Sequence, residues 1–460
     1  MGAIITLSLL AILILYLGLY KAEKALLPVT LIGLALALIF ELRLWGENPE
    51  PLFHGMVLFD RFSVVFSIAC IVLSGLIVSL SKEFFHSLKA HVAEYYALVI
   101  FSLIGAIAIT SYHNFAMLFV GIEIMSVAVY ILSGIRKVDT YSNEAALKYF
   151  IMGAFSTGFL LFGIALMYGA TGSFDLSILR DYVTDNTSSI SPLFYAGISL
   201  LLIGLCFKVG AAPFHFWTPD VYDGAPTMIT TYMSTVVKVA SFAAFFRLFD
   251  FVLTPLDAYW TPVLLTIVVI TLFVGNITAV MQNSFKRMLA YSSVSHAGYM
   301  LFAILAIGPL ASNGLLVYSI AYSLASIIGF GALYIVKRDV GSELFESFNG
   351  LGRKNPLFAG LLTVAMLSLA GIPFTAGFIG KFMMFSAAMS QYHILLLILA
   401  ALNAVIGVFY YLRVVVHMYF KNAEDEFVLQ ISPMHMTIFV IAFIGTLVLG
   451  VYPDVLTSLM

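Results

Sequence analysis

The stretch LCFKVGAAPFHFW, from Leu205 to Trp217, decides how this chain is read. Lys208 stands between Phe207 and Val209, at the end of an apolar run that begins near Leu193. Two residues later Gly210-Ala-Ala-Pro213 interrupts the run. No acid or arginine lies close to it in the sequence, so the ammonium has no obvious local partner. What such a lysine does depends on whether its surroundings are lipid or water.

Composition answers that first. Hydrophobic residues make up 62% of the chain and charged residues 10%, with a mean hydropathy of +1.05. An ordinary soluble domain carries about 25% charged residues. A membrane-spanning helix needs ~20 mostly apolar residues to cross ~30 Å of hydrocarbon. About fourteen stretches qualify: Gly2–Tyr20, Ala25–Phe40, Phe62–Leu80, Val92–Thr110, Phe115–Leu132, Ala145–Ala170, Pro192–Trp217, Thr227–Phe249, Trp260–Val280, Met288–Ile307, Gly314–Val336, Leu357–Met389, His393–Phe420 and Met434–Val451. The alternation of a spanning barrel is absent, which leaves an all-α integral membrane protein. The connections are short, the longest being about Thr171–Ser191 and Lys337–Pro356, and no soluble domain fits in them. The first stretch has no basic run before it and no small-residue cleavage site after it, so it is expected to be a retained helix. Cys70 and Cys206 lie inside apolar runs and offer neither a disulfide framework nor a metal or iron–sulfur site.

Lysine and arginine mark cytoplasmic connections. After odd-numbered stretches come Lys21, Lys24, Lys82, Lys89, Arg136, Lys137, Lys286, Arg287, Lys337, Arg338, Arg353, Lys354 and Lys421; after even-numbered ones come Arg43, Arg61, Arg180 and Arg247. This bias predicts both termini on the outer side. Gly210-Ala-Ala-Pro213-Phe214 in the seventh stretch and Gly371-Ile-Pro373-Phe374 in the twelfth are similar interruptions. Proline removes a helix hydrogen bond, so each break is expected to face a protein or polar interior. The breaks lie five helices apart, an odd number, so matching segments cross in opposite senses. That is the signature of two inverted five-helix repeats. The expected division is 1–110 for helices one to four, the fourth opening the first repeat. Residues 111–250 complete that repeat, 251–420 hold the second, and 421–460 carry the fourteenth helix.

Five cations remain within the spans: Lys148, Lys208, Lys238, Lys381 and Arg413. Glu123 lies eight residues into its stretch, ~12 Å deep, and Lys238 is likewise central. A charge at that depth costs ~2.5–3.5 kcal/mol on insertion scales, so such residues face the interior and pair. Two readings follow. Glu123 and Lys208 could form a structural ion pair, or the surplus of lysines over Glu123 could be a set of protonatable sites. Burial favours a neutral amine and a nearby carboxylate favours the ammonium, so a buried lysine beside a movable glutamate could switch. Arginine could not. Carbonyls freed near Pro213, with water, could also solvate Lys208. Lys148, four residues after Glu144, fits an ordinary helical pair as well as a relay. His215 and His296 could pass protons or simply be hydrogen-bonded packing residues, and Ser292, Ser293 and Ser295 could line a hydrated path or bond back to their helix. Arg413 is expected near a helix end or headgroup.

Longer motifs carry a family resemblance. NFAMLFVGIEIMSVAVYILSG (Asn114–Gly134), NEAALKYFIMGAFSTGFLLFGIALMYGATGS (Asn143–Ser173), GLCFKVGAAPFHFWTPDVYDGAP (Gly204–Pro226), NSFKRMLAYSSVSHAGYM (Asn283–Met300) and LSLAGIPFTAGFIGKF (Leu367–Phe382) resemble the antiporter-like membrane subunits of respiratory complex I. The resemblance spans nearly the whole chain. It is nearest to the N-type subunits of bacterial NADH:quinone oxidoreductase: no lateral-helix extension follows the fourteenth helix, and Lys381 stands where M-type subunits typically have glutamate. Subunits of multisubunit sodium/proton antiporters and membrane-bound hydrogenases share much of the pattern.

The resemblance implies roles in proton transfer. Glu123 matches the fifth-helix glutamate, Lys208 the seventh-helix lysine it modulates, Lys238 the central eighth-helix lysine, and Lys381 the twelfth-helix residue nearest the second half-channel. His296 matches a histidine of the proton path, with Lys148 a further candidate. It also implies other membrane subunits of complex I as partners in a bacterial inner membrane. NADH, FMN, iron–sulfur clusters and quinone are then expected in those partners, since this chain has no Gly-x-Gly-x-x-Gly after a strand, no cysteine cluster and no soluble loop for a flavin. Nucleic acid is not an expected partner. A structural spacer, its charged pairs serving only helix registry, is a rival reading; a quinone-binding enzyme has no distinctive pocket signature to support it.

Overall fold

A computed structural model describes residues 1–46, 49–88, 91–187, 189–389, 394–422 and 429–460. Lys89 of the cation bias, Ser188 of a long connection and His393 at the start of a predicted span lie outside the described residues.

Among the described residues, twelve helices are long and apolar enough to cross a membrane. In chain order the main helices are α1 (Gly2–Leu19), α2 (Glu23–Arg43), α3 (Arg61–Leu80), α4 (Val92–Thr110), α5 (Phe115–Ser133) and α6 (Thr140–Thr171). Next come α7, in two pieces (Pro192–Val209 and Trp217–Gly224), α8 (227–248), α9 (Asp257–Val280), α10 (Phe285–Ala306) and α11 (Pro309–Val340). Last are α12, in two pieces (Pro356–Ala370 and Ala376–Met389), α13 (Ile394–Phe420) and α14 (Pro433–Val451). Polar side chains start several of them: Asp60 caps α3, Asn114 caps α5, Asp139 caps α6 and Ser284 caps α10, each accepting from a first-turn N–H.

Two departures from the expected spans have local causes. The expected eighth and ninth stretches form one helical run, Thr227–Val280. The chain between them stays wound because π and 3₁₀ turns, Phe249–Leu253 and Thr254–Leu256, replace a loop. Trp260 Nε1 donates to Leu253 O at 2.9 Å and so takes up a freed carbonyl. The twelfth stretch is two short helices, parted at Gly371, whose φ is +85°. Gly210 breaks α7 in the same way with φ +74°, and an added Cβ there would lie 2.8 Å from Thr218 Oγ1.

The chain packs as two compact units. One holds 1–209, 236–264 and Met460; the other holds 210–235 and 265–459. In the second, α10 and α11 are the core and are buried along most of their length. In the first, α8 is buried at every residue from Lys238 to Leu248 and α4 along most of its length, whereas α1 is 28% buried and presents Leu9, Ile12 and Leu19 outward. An apolar surface of that kind suits lipid or a neighbouring subunit.

Some details recur between the units. α6 and α11 each have 32 residues and end on a left-handed glycine, Gly172 and Gly341. Phe115 N donates to Phe174 O at 2.9 Å, and Phe285 N donates to Glu343 O at 2.9 Å.

Candidate functional site

In the first unit, α5 presents Glu123, Ser126 and Tyr130 at helical spacing, and α7 brings Lys208 against them. Lys208 is 7% exposed. Its Nζ donates to Ser126 Oγ at 2.9 Å and to Tyr130 OH at 3.3 Å, and it lies 5.8 Å from the Tyr130 ring centroid. Ser126 remains a good acceptor because its own hydroxyl donates to Ile122 O. Gly153 on α6 makes room: a Cβ there would come within 2.1 Å of Tyr130 OH. Glu123 lies one turn from Ser126, yet Glu123 Oε1 is buried with no hydrogen-bond partner. Among the described residues no Glu123–Lys208 salt bridge forms, so the structural ion pair is absent from this conformation. Two hydroxyls of α5 hold Lys208.

Lys238 is 4% exposed and directly follows a π-helical turn, Met233–Val237. Such turns are frequent at functional sites. Lys148 pairs with Glu144 at 2.8 Å, with side chains 40% and 58% exposed, the ordinary i,i+4 arrangement.

The second unit gathers His296, Lys381 and a set of tyrosines. Lys381 Nζ donates to Leu369 O and Ala370 O, both at 3.0 Å. These carbonyls end the first half of α12, where the helix dipole adds partial negative charge. The carbonyls of the break therefore solvate Lys381. Its ammonium also sits 4.8 Å from the Tyr299 ring centroid. His296 is bonded on both ring nitrogens: Nδ1 to Tyr318 OH at 2.6 Å and Nε2 to Tyr411 OH at 2.9 Å. Tyr411 OH in turn meets Ser292 Oγ. Since a neutral imidazole has one donor and one acceptor, passing a proton through it reverses the hydroxyl orientations on either side. Tyr299 joins the two groups, its ring 6.1 Å from His296 and 6.5 Å from Tyr318. His215, in the α7 break, is 7% exposed with Nδ1 unpartnered and its ring 4.8 Å from Phe216.

Other cations are tied down. Arg413 reaches Gln282 O at 2.9 Å and Asn283 Oδ1 at 3.3 Å, near a helix end as expected. Lys286 is 2% exposed and caps Asp223 O and Ala225 O, so it is no solvated loop cation. Arg247, also counted with the connections, is 7% exposed and pairs with Asp60 at 2.9 Å. Burial alone would raise the Asp60 carboxyl, but the charge and hydrogen bonds of Arg247, with those of Ser63, outweigh it and hold Asp60 below the usual carboxylate range. Among the described residues no group of three or more His, Cys, Asp or Glu could hold a metal ion.

Ser126, Tyr130, Tyr299, Tyr318 and Tyr411 were not singled out in the sequence. Ser126 and Tyr130 were legible there as a polar stripe at i+3 and i+7 from Glu123. The three tyrosines carried no local signal.

Helices spanning a bilayer, two of them broken, with buried lysines and a histidine among hydroxyls, define a multi-pass ion-translocating type of membrane protein. Residues 113–445 match the family described as NADH:quinone oxidoreductase/Mrp antiporter, TM. The chain belongs to that family. It is 39% identical to NADH-quinone oxidoreductase subunit N of Flavobacterium psychrophilum, over 100% of both chains. It is 40% identical to the same subunit of Cytophaga hutchinsonii, covering 100% of this chain and 99% of that one. Among solved structures it is similar to a chain of respiratory complex I from Thermus thermophilus with bound aureothin, at 33% identity and a TM-score of 0.84, covering 99% and 98% of the two chains. A chain of the Mrp complex from Dietzia shares the fold at 18% identity, with a TM-score of 0.87 over 100% and 95% of the chains.

Proposed function

We propose that this chain is a proton-translocating membrane subunit of NADH:quinone oxidoreductase, coupling electron transfer to quinone in partner subunits to proton movement through its own buried side chains. The observation that carries the reading is Lys208, a buried amine held by two neutral hydroxyls one turn from a carboxylate with an unpartnered oxygen. A pair retained only for structure would have closed, because an unpaired buried charge costs several kcal/mol. Left open, it suits a glutamate that approaches and withdraws.

The assembled complex is the enzyme, and NADH, FMN, iron–sulfur clusters and quinone belong to its other subunits. The chain lies multi-pass in a bacterial inner membrane beside other membrane subunits of complex I, with both termini outside. Helices α4–α8 and α9–α13 act as inverted repeats; the matched glycine ends of α6 and α11 and the matched Phe115 and Phe285 bonds support this. A change of charge in a neighbouring subunit shifts Glu123 relative to Lys208. Lys208 is then less stabilised as a cation, its proton moves toward Lys238, and Lys381 passes it outward, with His296, His215 and Lys148 as further carriers.

The test is NADH-driven proton pumping in inverted vesicles whose complex carries Lys238→Ala or Glu123→Ala, with assembly checked by native gel. Pumping should fall sharply at intact assembly. Full stoichiometry in either assembled variant removes that residue from the mechanism. The family also includes antiporter subunits, so sodium-dependent transport, or companion subunits without redox centres, would favour a sodium/proton antiporter or hydrogenase setting.

A further inference from the structure

Helix α8 continues past Lys238 with polar groups that the proposed route leaves unused. Ser241 lies one turn on, the Ala244 carbonyl a turn beyond, and Arg247 a turn beyond that; all four residues are buried. At 1.5 Å per residue this ladder climbs ~14 Å, nearly half of a ~30 Å hydrocarbon layer. Neighbouring helices of the same unit and the connection after α4 add hydroxyls along it. Tyr112 OH donates to Ala244 O at 2.9 Å, and Thr110 Oγ1 meets Ser67 Oγ at 2.9 Å, all of them fully enclosed. Ser74, two turns further along α3, has a buried hydroxyl with no partner. Arg247 closes the end, reaching Thr110 O at 3.5 Å and Asp60 Oδ1 at 2.9 Å. Asp60 is 31% exposed and so opens to the surface.

We propose that these groups form a second proton port, running from Lys238 to the face assigned as outer, and that the Arg247–Asp60 pair is its plug. This rests on the proton-exchange reading of Lys238 and on the orientation given by the cation bias. A guanidinium does not give up its proton near neutrality, so Arg247 cannot relay, and its fixed charge repels an approaching hydronium. Asp60 pins the guanidinium across the port and balances its charge at the surface. The second unit has a related contact near the end of α13, where Arg413 donates to Gln282 O beyond α9 as Arg247 donates to Thr110 O, but Arg413 is half-buried and its side-chain partner is Asn283 in place of a carboxylate. A protein that exchanges protons at mid-membrane needs such a barrier, because the outer side of an energised membrane is the proton-rich one.

The experiment is passive proton leak in proteoliposomes holding the assembled complex, without NADH, under an imposed gradient acid at the outer face. Arg247→Gln should leak roughly tenfold faster than the native complex or more, which is one ~1.4 kcal/mol step of barrier. Adding Tyr112→Phe and Thr110→Val should bring the leak back toward native. An unchanged leak in assembled Arg247→Gln overturns the proposal. So does a leak that the two added changes fail to reduce, since that marks loosened packing instead of a proton path. Should Arg247→Gln fail to assemble, Asp60→Asn, which unpins the arginine, is read by the same two outcomes. A native complex that pumps no protons would sink the proposed function itself, while these leak comparisons would remain readable.

Discussion

Lys208 chooses hydroxyls over a carboxylate, and that choice can be undone one residue at a time. A hydrogen bond to a charged group contributes ~1.5–3 kcal/mol. Ser126→Ala removes the shorter of its two bonds, 2.9 Å against 3.3 Å for Tyr130, so it should impair NADH-driven pumping more than Tyr130→Phe does. Gly153→Ala should reproduce Tyr130→Phe without removing a polar group, because its Cβ would lie 2.1 Å from the phenol oxygen and drive it off Lys208. Proton uptake by inverted vesicles checks all three; native rates in Ser126→Ala and Gly153→Ala together would mean that these contacts do not set Lys208. The polar stripe on α5 could be read along the chain. Its claim on Lys208 could not, since the two residues are 82 positions apart.

The two broken helices look alike in sequence and do different work as elements. Lys208 precedes its break, so its side chain leaves toward α5. Lys381 follows Gly371 by ten residues, on the second half of α12, and reaches back to the carbonyls that end the first half. The close approach of the halves depends on Gly377, where a Cβ would fall 1.8 Å from Ser368 O. Gly377→Ala should therefore destabilise the subunit by ~1–3 kcal/mol, as overpacking does. Gly360→Ala on the same helix, with nothing within 4 Å of its Cβ, should be neutral. Thermal unfolding of the purified complex compares them, and equal melting would show that the halves can separate without cost.

For the whole molecule, sidedness fixes what each proton group does. The only cysteines, Cys70 and Cys206, are buried, so an introduced cysteine reports its own position. In intact cells an impermeant maleimide should label Asp185→Cys, in the connection after α6, and leave Lys137→Cys, after α5, unlabelled until the membrane is opened. The reverse pattern would turn the chain over and set the Arg247–Asp60 plug against the cytoplasm. The two compact units could not be inferred from hydropathy. Their boundaries fall at the Gly210 break, inside the π turn of α8 and inside α9 after Leu264, the last two without a loop to announce them.

The sequence by itself determined most of the membrane spans, the two breaks and the burial of Lys208, Lys238 and Lys381. Each of these is local: hydropathy, a missing N–H at proline and the cost of an ion in hydrocarbon depend on residues within one stretch. Only the tertiary structure decided the partners: Ser126 and Tyr130 for Lys208, the Leu369 and Ala370 carbonyls for Lys381, Tyr318 and Tyr411 for His296, Asp60 for Arg247. A hydrogen bond forms at about 3 Å, and which groups come that close is fixed by how helix faces pack, not by any segment alone.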